Sequence, residues 1–277
     1  MKPYVWLDNK IISFKDIDIP FCDEGFLYGQ GLFETMRSYD GQVFLLDRHI
    51  RRLINSCKIM DIAAPDKNLL KKAVLNTAKK NKLDCAYIRL NVWKKNKKTG
   101  IFVFTKDMDF YSRKDYAHGF SAVIFKDIRQ NEYSPLVKVK SLNHYFYILL
   151  TKMAKAKNAD EAIILNDKGG VCEGSRSNIF IIKKGIISTP AINSGCLPGI
   201  TREIIMEIAK QLSWDLRETE IKPEDLFASD EAFLTNSLIE VMPLTKINAK
   251  IIGDGTIGRK TQLILDCYRK LIRECYK

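Results

Sequence analysis

The chain has no CxxC pair and no HExxH motif, and it has only three histidines in 277 residues. Its seven cysteines are odd in number, which argues against a disulfide framework and against a zinc site. With so few histidines a His-based metal centre is not expected, and no metal ligands are assigned. No apolar run approaches a membrane span. The opening Met1-Lys-Pro-Tyr-Val-Trp is too short and mixed to read as a signal peptide. Internal repeats and low-complexity tracts are missing too. These absences lead to the expectation of a reduced, cytoplasmic protein with no membrane partner.

Charge is what the chain has in excess. Lys and Arg number 45 against 33 Asp and Glu, a net +12. The basic residues are dispersed and interleaved with acids, apart from Lys94-Lys-Asn-Lys-Lys98. That pattern suits the steering of a small anionic substrate better than the binding of nucleic acid, which is not expected. A basic non-enzymatic binding protein is the remote alternative. Length and an apolar content of 46% allow a sizeable core, in one large domain or two.

Residues 1–20 read as a short meander, and Phe33–Tyr39 and Gln42–Leu46 as strands about a Tyr-Asp-Gly turn. Ile50, Leu53, Ile54 and Cys57 recur at helical spacing over 47–60, with Asp47 as the N-cap. A second helix covers 66–81. Ala86–Trp93 and Ile101–Thr105 read as strands around the lysine-rich loop, and Asp107–His118 is polar and unpatterned. Then come strands at 120–128 and 136–140, a helix at 143–157, and a hairpin of Glu161–Leu165 with Val171–Ile182. The pattern of Thr201–Leu212 is that of an amphipathic helix. Strands at 231–235 and 245–252 and a final helix at 258–275 complete an α+β fold. Gly253-Asp-Gly-Thr-Ile-Gly258 satisfies GxGxxG, but too few residues follow it for a dinucleotide-binding unit.

Two residue types in these elements bear on chemistry. A lysine amine can form a Schiff base, and a carboxylate can keep a pyridine nitrogen protonated; a pyridoxal phosphate enzyme needs both. Val137-Lys-Val-Lys140 alternates like a strand, which puts Lys138 and Lys140 on one face and leaves the choice between them open. Glu173 follows the hairpin turn and precedes small polar residues, Gly-Ser-Arg-Ser-Asn178, suited to a crowded ligand site.

Along almost its whole length the chain resembles the class IV aminotransferase family, the fold-type IV pyridoxal phosphate enzymes. The resemblance is carried by Asp23-Glu-Gly-Phe-Leu-Tyr-Gly29 with Gly31-Leu-Phe-Glu-Thr35, by Phe44–Leu53, and by Lys140-Ser-Leu-Asn143. Asp160-Glu-Ala162, Glu173–Phe180, Leu197-Pro-Gly-Ile-Thr-Arg202 and Asp230–Pro243 follow in family order. It implies a small N-terminal domain (1–112), a linker (113–118), a larger cofactor-binding domain (119–277), and a homodimer with each cofactor site at the domain interface.

Carried over residue by residue, the resemblance makes Lys140 the catalytic, cofactor-bearing lysine and Glu173 the partner of the pyridinium nitrogen. Arg52 matches the phosphate-binding arginine. Gly199, Ile200 and Thr201 open a helix whose free N–H groups suit the phosphate. Asn236 and Ser237 match a loop of further donors, Ser177 and Asn178 belong to the Glu173 motif, and Tyr145 matches a tyrosine that meets the phenolic oxygen in branched-chain enzymes. Tyr28, Phe33, Tyr87 and Arg89 fall where relatives line the substrate pocket, although Tyr87 and Arg89 read equally well as ordinary strand residues. D-amino acid transaminases carry tyrosine at the position of Phe33, and an arginine at that of Lys94.

Within the family, Lys140-Ser-Leu-Asn143 and Thr235–Pro243 look more like 4-amino-4-deoxychorismate lyase, which releases pyruvate and p-aminobenzoate on the folate route. That is the leading expectation. The alternative is a branched-chain L-amino acid (or D-amino acid) aminotransferase using 2-oxoglutarate, which Tyr87-Ile-Arg89 and Tyr145 favour.

Overall fold

The computed structural model describes residues 3–18, 21–96 and 98–275. The ends of the expected N-terminal meander and Lys97 of the lysine-rich loop lie outside them. The chain divides into two compact units: Met1–Asp109 with Val139–His144, and Phe110–Lys138 with Tyr145–Lys277.

The N-terminal unit contains β1 (Tyr4–Leu7), β2 (Lys10–Ser13), α1 (Glu24–Tyr28), β3 (Gly31–Tyr39), β4 (Gln42–Val43), α2 (Leu46–Ile59), α3 (Lys67–Asn81), β5 (Ala86–Lys95) and β6 (Lys98–Asp107). Its sheet runs β2-β1-β6-β5-β3-β4. The pleat sends alternate residues to opposite faces. Leu32, Met36, Ile88, Leu90 and Val92 are fully buried on the face of β3 and β5 turned to the helices. Ile50, Leu53 and Cys57 of α2, the helical stripe expected from sequence, are buried with them. The other face carries Phe33, Tyr87, Arg89 and Asn91, placed together by the register Phe33 to Asn91, Thr35 to Arg89 and Arg37 to Tyr87.

Three expectations change here. Leu45, not Asp47, is the N-cap of α2, in left-handed backbone at φ 53°; that kink also ends β4 at Val43. Asp47 instead sits in the first turn, its carboxylate 3.0 Å from Lys67 Nζ and 2.7 Å from Lys71 Nζ of α3. The lysine-rich loop is a hairpin tip, since Lys94 and Lys95 still belong to β5 and Lys98 already to β6.

The C-terminal unit contains α4 (Arg113–His118), β7 (Phe120–Gln130), α5 (Tyr145–Ala156), β8 (Glu161–Asn166), β9 (Val171–Gly174), β10 (Asn178–Lys183) and β11 (Ile186–Pro190). After them come α6 (Ile200–Gln211), β12 (Leu216–Thr219), α7 (Pro223–Phe227), β13 (Glu231–Asn236), β14 (Glu240–Ile247), β15 (Lys250–Ile251) and α8 (Arg259–Glu274). Eight strands run β12-β11-β10-β13-β14-β7-β8-β9, and β15 pairs with β14.

The differences from the sequence reading have local causes. Residues 113–118, read as linker, form α4, started by a reciprocal cap between Ser112 and Asp115. Pro135–Lys138 winds into a 3₁₀ turn rather than extending into the strand expected at 136–140. Val171–Ile182 is broken into β9 and β10 because the buried Glu161 carboxylate draws in the hydroxyls of Ser175 and Ser177. The strand at 245–252 turns at Asn248, at φ 54°.

The final helix is capped from a distance. Gly258, its N-cap, has no side chain to offer, and a Cβ there would come within 2.1 Å of Glu231 Cδ. Glu231 of β13 fills the space, accepting from the N–H of Lys260 at 3.0 Å and of Thr261 at 2.7 Å. Glu231→Ala is expected to cost about 1–2 kcal/mol, the usual worth of an N-cap. Chemical denaturation of the folded variant is the check, and an unchanged midpoint would remove the capping role.

Candidate active site

The lysine segment is held by backbone rather than by side chains. β4 covers the free edge of β3 only at Ser38 and Tyr39. Farther along that edge, the N–H of Phe33 donates to the Lys140 carbonyl at 2.8 Å and the N–H of Leu142 to the Gly31 carbonyl at 2.9 Å. Leu32 and Ser141 form the bridge between these bonds. The two bonds flank the Cα of Ser141 and anchor the carbonyl of Lys140 to the edge of β3.

The expectation that Lys138 and Lys140 share a face does not hold. Lys138 closes the 3₁₀ turn and is exposed, whereas Lys140 is half-buried. Its Nζ lies 4.6 Å from the centroid of the Phe33 ring. Arg89 Cζ lies 3.4 Å from the same centroid, and Arg89 Nε donates to Asn91 Oδ1 at 2.8 Å. The His144 ring packs T-shaped against the Phe33 ring, with centroids 5.0 Å apart. Burial, then the charges of Lys140 and Arg89, push the His144 imidazole down to about 3, so it is neutral at physiological pH. Phe33 is therefore the hub of a small apolar patch carrying two cations. The ring centroids of Tyr87 and Phe104 lie 5.8 Å apart, and Tyr28 is exposed at the end of α1.

On the helix-facing side of β3 lies Glu34, which, like His49, the sequence reading did not single out. Arg52 Nε donates to Glu34 Oε1 at 2.8 Å and Nη2 to Oε2 at 2.6 Å, while His49 Nδ1 sits 2.7 Å from Oε2. Burial pushes the Glu34 carboxyl up, but Arg52 and His49 outweigh it and hold it at about 2. Burial lowers the His49 imidazole, against the pull of Glu34. A charged residue breaking the apolar alternation Leu32-x-Glu34-x-Met36 was the available signal.

In the C-terminal unit Glu173 is buried on β9, opposite Ile164. Its Oε2 accepts from the Leu197 N–H at 3.0 Å, while Asn178 Nδ2 donates to the Leu197 carbonyl at 2.9 Å. Two side chains thus clip the loop that leads into α6. Gly199 caps that helix with no side-chain bond, and a Cβ there would come within 2.0 Å of Asn178 Oδ1. The N-terminal N–H groups at Ile200 and Thr201 are consequently left without a cap side chain, and Thr201 is itself buried.

Other expected cofactor contacts have evident structural work. Ser177 Oγ donates to Glu161 at 2.9 Å. Asn236 Oδ1 accepts from the N–H groups of Leu238 and Ile239, at 2.8 and 2.9 Å, and its Nδ2 donates to the Arg176 carbonyl at 2.9 Å. It shapes the turn that carries Ser237. Tyr145 is exposed at the start of α5. Tyr147, not anticipated, is half-buried, and burial and then the charge of Glu173 raise its hydroxyl pKa. No group of three or more His, Cys, Asp or Glu suited to a metal occurs among the described residues.

Each unit by itself carries groups of the kinds pyridoxal phosphate requires: the N-terminal unit a half-buried amine and a guanidinium, the C-terminal unit a buried carboxylate and a helix start where a Cβ would run into Asn178. Comparison with known proteins gives the same answer. The family model for amino-transferase class IV matches residues 31–247. A putative branched-chain-amino-acid aminotransferase of Methanocaldococcus jannaschii is 33% identical, over 96% of each chain. A D-alanine aminotransferase of Staphylococcus epidermidis is 29% identical, over 97% of this chain and 98% of the relative. The crystal structure of the Thermoproteus uzoniensis branched-chain aminotransferase with norvaline superposes with a TM-score of 0.91 at 30% identity, covering 98% of this chain and 95% of that one.

Proposed function

The chain belongs to the class IV aminotransferase family of pyridoxal phosphate enzymes, and from that premise we propose that it transfers the amino group of branched-chain L-amino acids to 2-oxoglutarate. This reverses the order expected from the sequence cues: the relatives described above favour the transaminase alternative over the lyase.

The observation that carries the reading is the Phe33 patch. An aliphatic side chain needs an apolar wall, and the second substrate, 2-oxoglutarate, needs a cation for its distal carboxylate. Phe33, itself buried, brings an apolar ring and the Arg89 guanidinium stacked on it to one place beside Lys140. Asn91 fixes the guanidinium, so the cation need not be ordered on binding.

When bound, the cofactor supplies an aldehyde that condenses with amines and a ring that takes up the electron pair left by the departing α-proton. Lys140 Nζ removes that proton from the substrate Cα. Glu173 holds a proton on the pyridine nitrogen. Arg52 and the N–H groups of Gly199, Ile200 and Thr201 bind the phosphate, with Asn178, Asn236 and Ser237 shaping the surrounding backbone. Tyr145 meets the phenolic oxygen, and Tyr28, Phe33, Tyr87 and Arg89 line the substrate side. A homodimer belongs to the same reading, and the exposed Ile148 and Leu149 of α5 give it an apolar face.

A second reading, D-amino acid transamination, is favoured by the Staphylococcus relative. Phe33 and Lys94 count against it. Single-turnover spectra of holoenzyme with L-leucine, L-valine, D-alanine and aminodeoxychorismate separate these readings. Expected is bleaching of the cofactor band by L-leucine, reversed by 2-oxoglutarate, with kcat/KM about 10²-fold above that for D-alanine. The opposite preference establishes the D-specific enzyme, and release of p-aminobenzoate the lyase.

A further inference from the structure

Glu34 stands in an apolar layer. Its neighbours on that face, Leu32 and Met36, and its register partner Leu90 are fully buried, and Glu34 itself is 1% exposed. An ionised carboxylate in such a place is strongly disfavoured unless its oxygens are fully engaged. They are: a two-point fork from Arg52 takes one oxygen each through Nε and Nη2, and His49 Nδ1 meets Oε2. His49 and Arg52 are three residues apart on α2, so one side chain of β3 holds two positions on a single helix face. The fork fixes the plane of the guanidinium, and with it the direction of every N–H that does not point at Glu34.

We infer that Glu34 is a positioning residue that aims the Arg52 guanidinium at the cofactor phosphate, with His49 steadying the carboxylate. The inference rests on Arg52 being the phosphate-binding arginine proposed above. Its consequence runs against simple charge counting. A carboxylate beside a phosphate-binding cation repels a dianion, so deleting it should tighten the phosphate if only charge mattered. If Glu34 positions Arg52, deleting it loosens the phosphate.

The test is the ratio of affinities of refolded apoenzyme for pyridoxal phosphate and for pyridoxal, which lacks the phosphate. Fluorescence titration of wild type, Glu34→Gln and Arg52→Ala measures it, after circular dichroism establishes that each is folded. Glu34→Gln is expected to weaken pyridoxal phosphate about 10- to 100-fold while leaving pyridoxal within about twofold. Glu34→Asp keeps the buried charge but shortens the reach, and is the variant to read if the glutamine protein does not fold. It should lower the same ratio. Three outcomes overturn the inference. If Arg52→Ala lowers the ratio and the Glu34 variants leave or raise it, Arg52 binds the phosphate without Glu34. If the Glu34 variants weaken both ligands equally, Glu34 serves only the fold. If Arg52→Ala leaves the ratio unchanged, the phosphate assignment falls and the inference falls with it.

Discussion

Lys140→Ala is expected to reduce turnover of L-leucine by about 10⁴-fold, the upper range for loss of a positioned proton-transfer group that also bears the covalent link. Borohydride treatment of wild-type holoenzyme should add the reduced cofactor to the peptide containing Lys140, and the alanine variant should gain no such mass. Lys138→Ala is the control. Lys138 is exposed on the 3₁₀ turn and two residues away from the backbone bonds that fix Lys140, so its loss should leave turnover within about twofold. Peptide mapping that finds the adduct on Lys138, or an active Lys140→Ala protein, would overturn the assignment.

The second large effect is expected at Glu173. Glu173→Ala should lower kcat/KM by about 10²–10³-fold, the scale for removing one preorganised electrostatic partner from a dry site. The carboxylate also accepts the Leu197 N–H, so the substitution leaves that half-buried donor without this partner. Cofactor content and melting temperature must therefore be measured alongside the rate. Glu173→Gln keeps an acceptor for Leu197 but cannot stabilise the pyridinium charge. A glutamine variant with normal cofactor content and a depressed rate gives the expected signature, and one with the wild-type rate would remove the role.

The sequence was most legible where periodicity and motif agree. α2 and its buried Ile50, Leu53 and Cys57 follow from helical spacing. The order of motifs around Lys140, Glu173 and Leu197–Arg202 identified the family before any geometry. What it hid falls into two kinds. One is local turn chemistry: the left-handed Leu45, the Ser112–Asp115 cap and the 3₁₀ turn before Lys140 depend on a few hydrogen bonds without a hydrophobic period. The other is pairing between residues distant in the chain. Glu34 with Arg52, Ser177 with Glu161 and Glu231 with α8 each join different elements, and no spacing rule links them. The lyase resemblance rests on short motif variants around Lys140, and it is the relatives, not any spacing rule, that favour the branched-chain alternative.

The backbone bonds that join Lys140 and Leu142 to the edge of β3 bear on modularity. The N-terminal unit is not a continuous stretch of chain: its last six residues, Val139–His144, arrive after an excursion of 29 residues, 110–138, into the other unit. A chimaera joined at residue 110 would take β3 from one parent and the Lys140 segment that bonds to its edge from another. Recombination among relatives is therefore constrained to exchange Gly31–Phe33 and Lys140–Leu142 together, although more than a hundred residues separate them. Lys140 is inherited with a strand edge rather than with its neighbours in sequence.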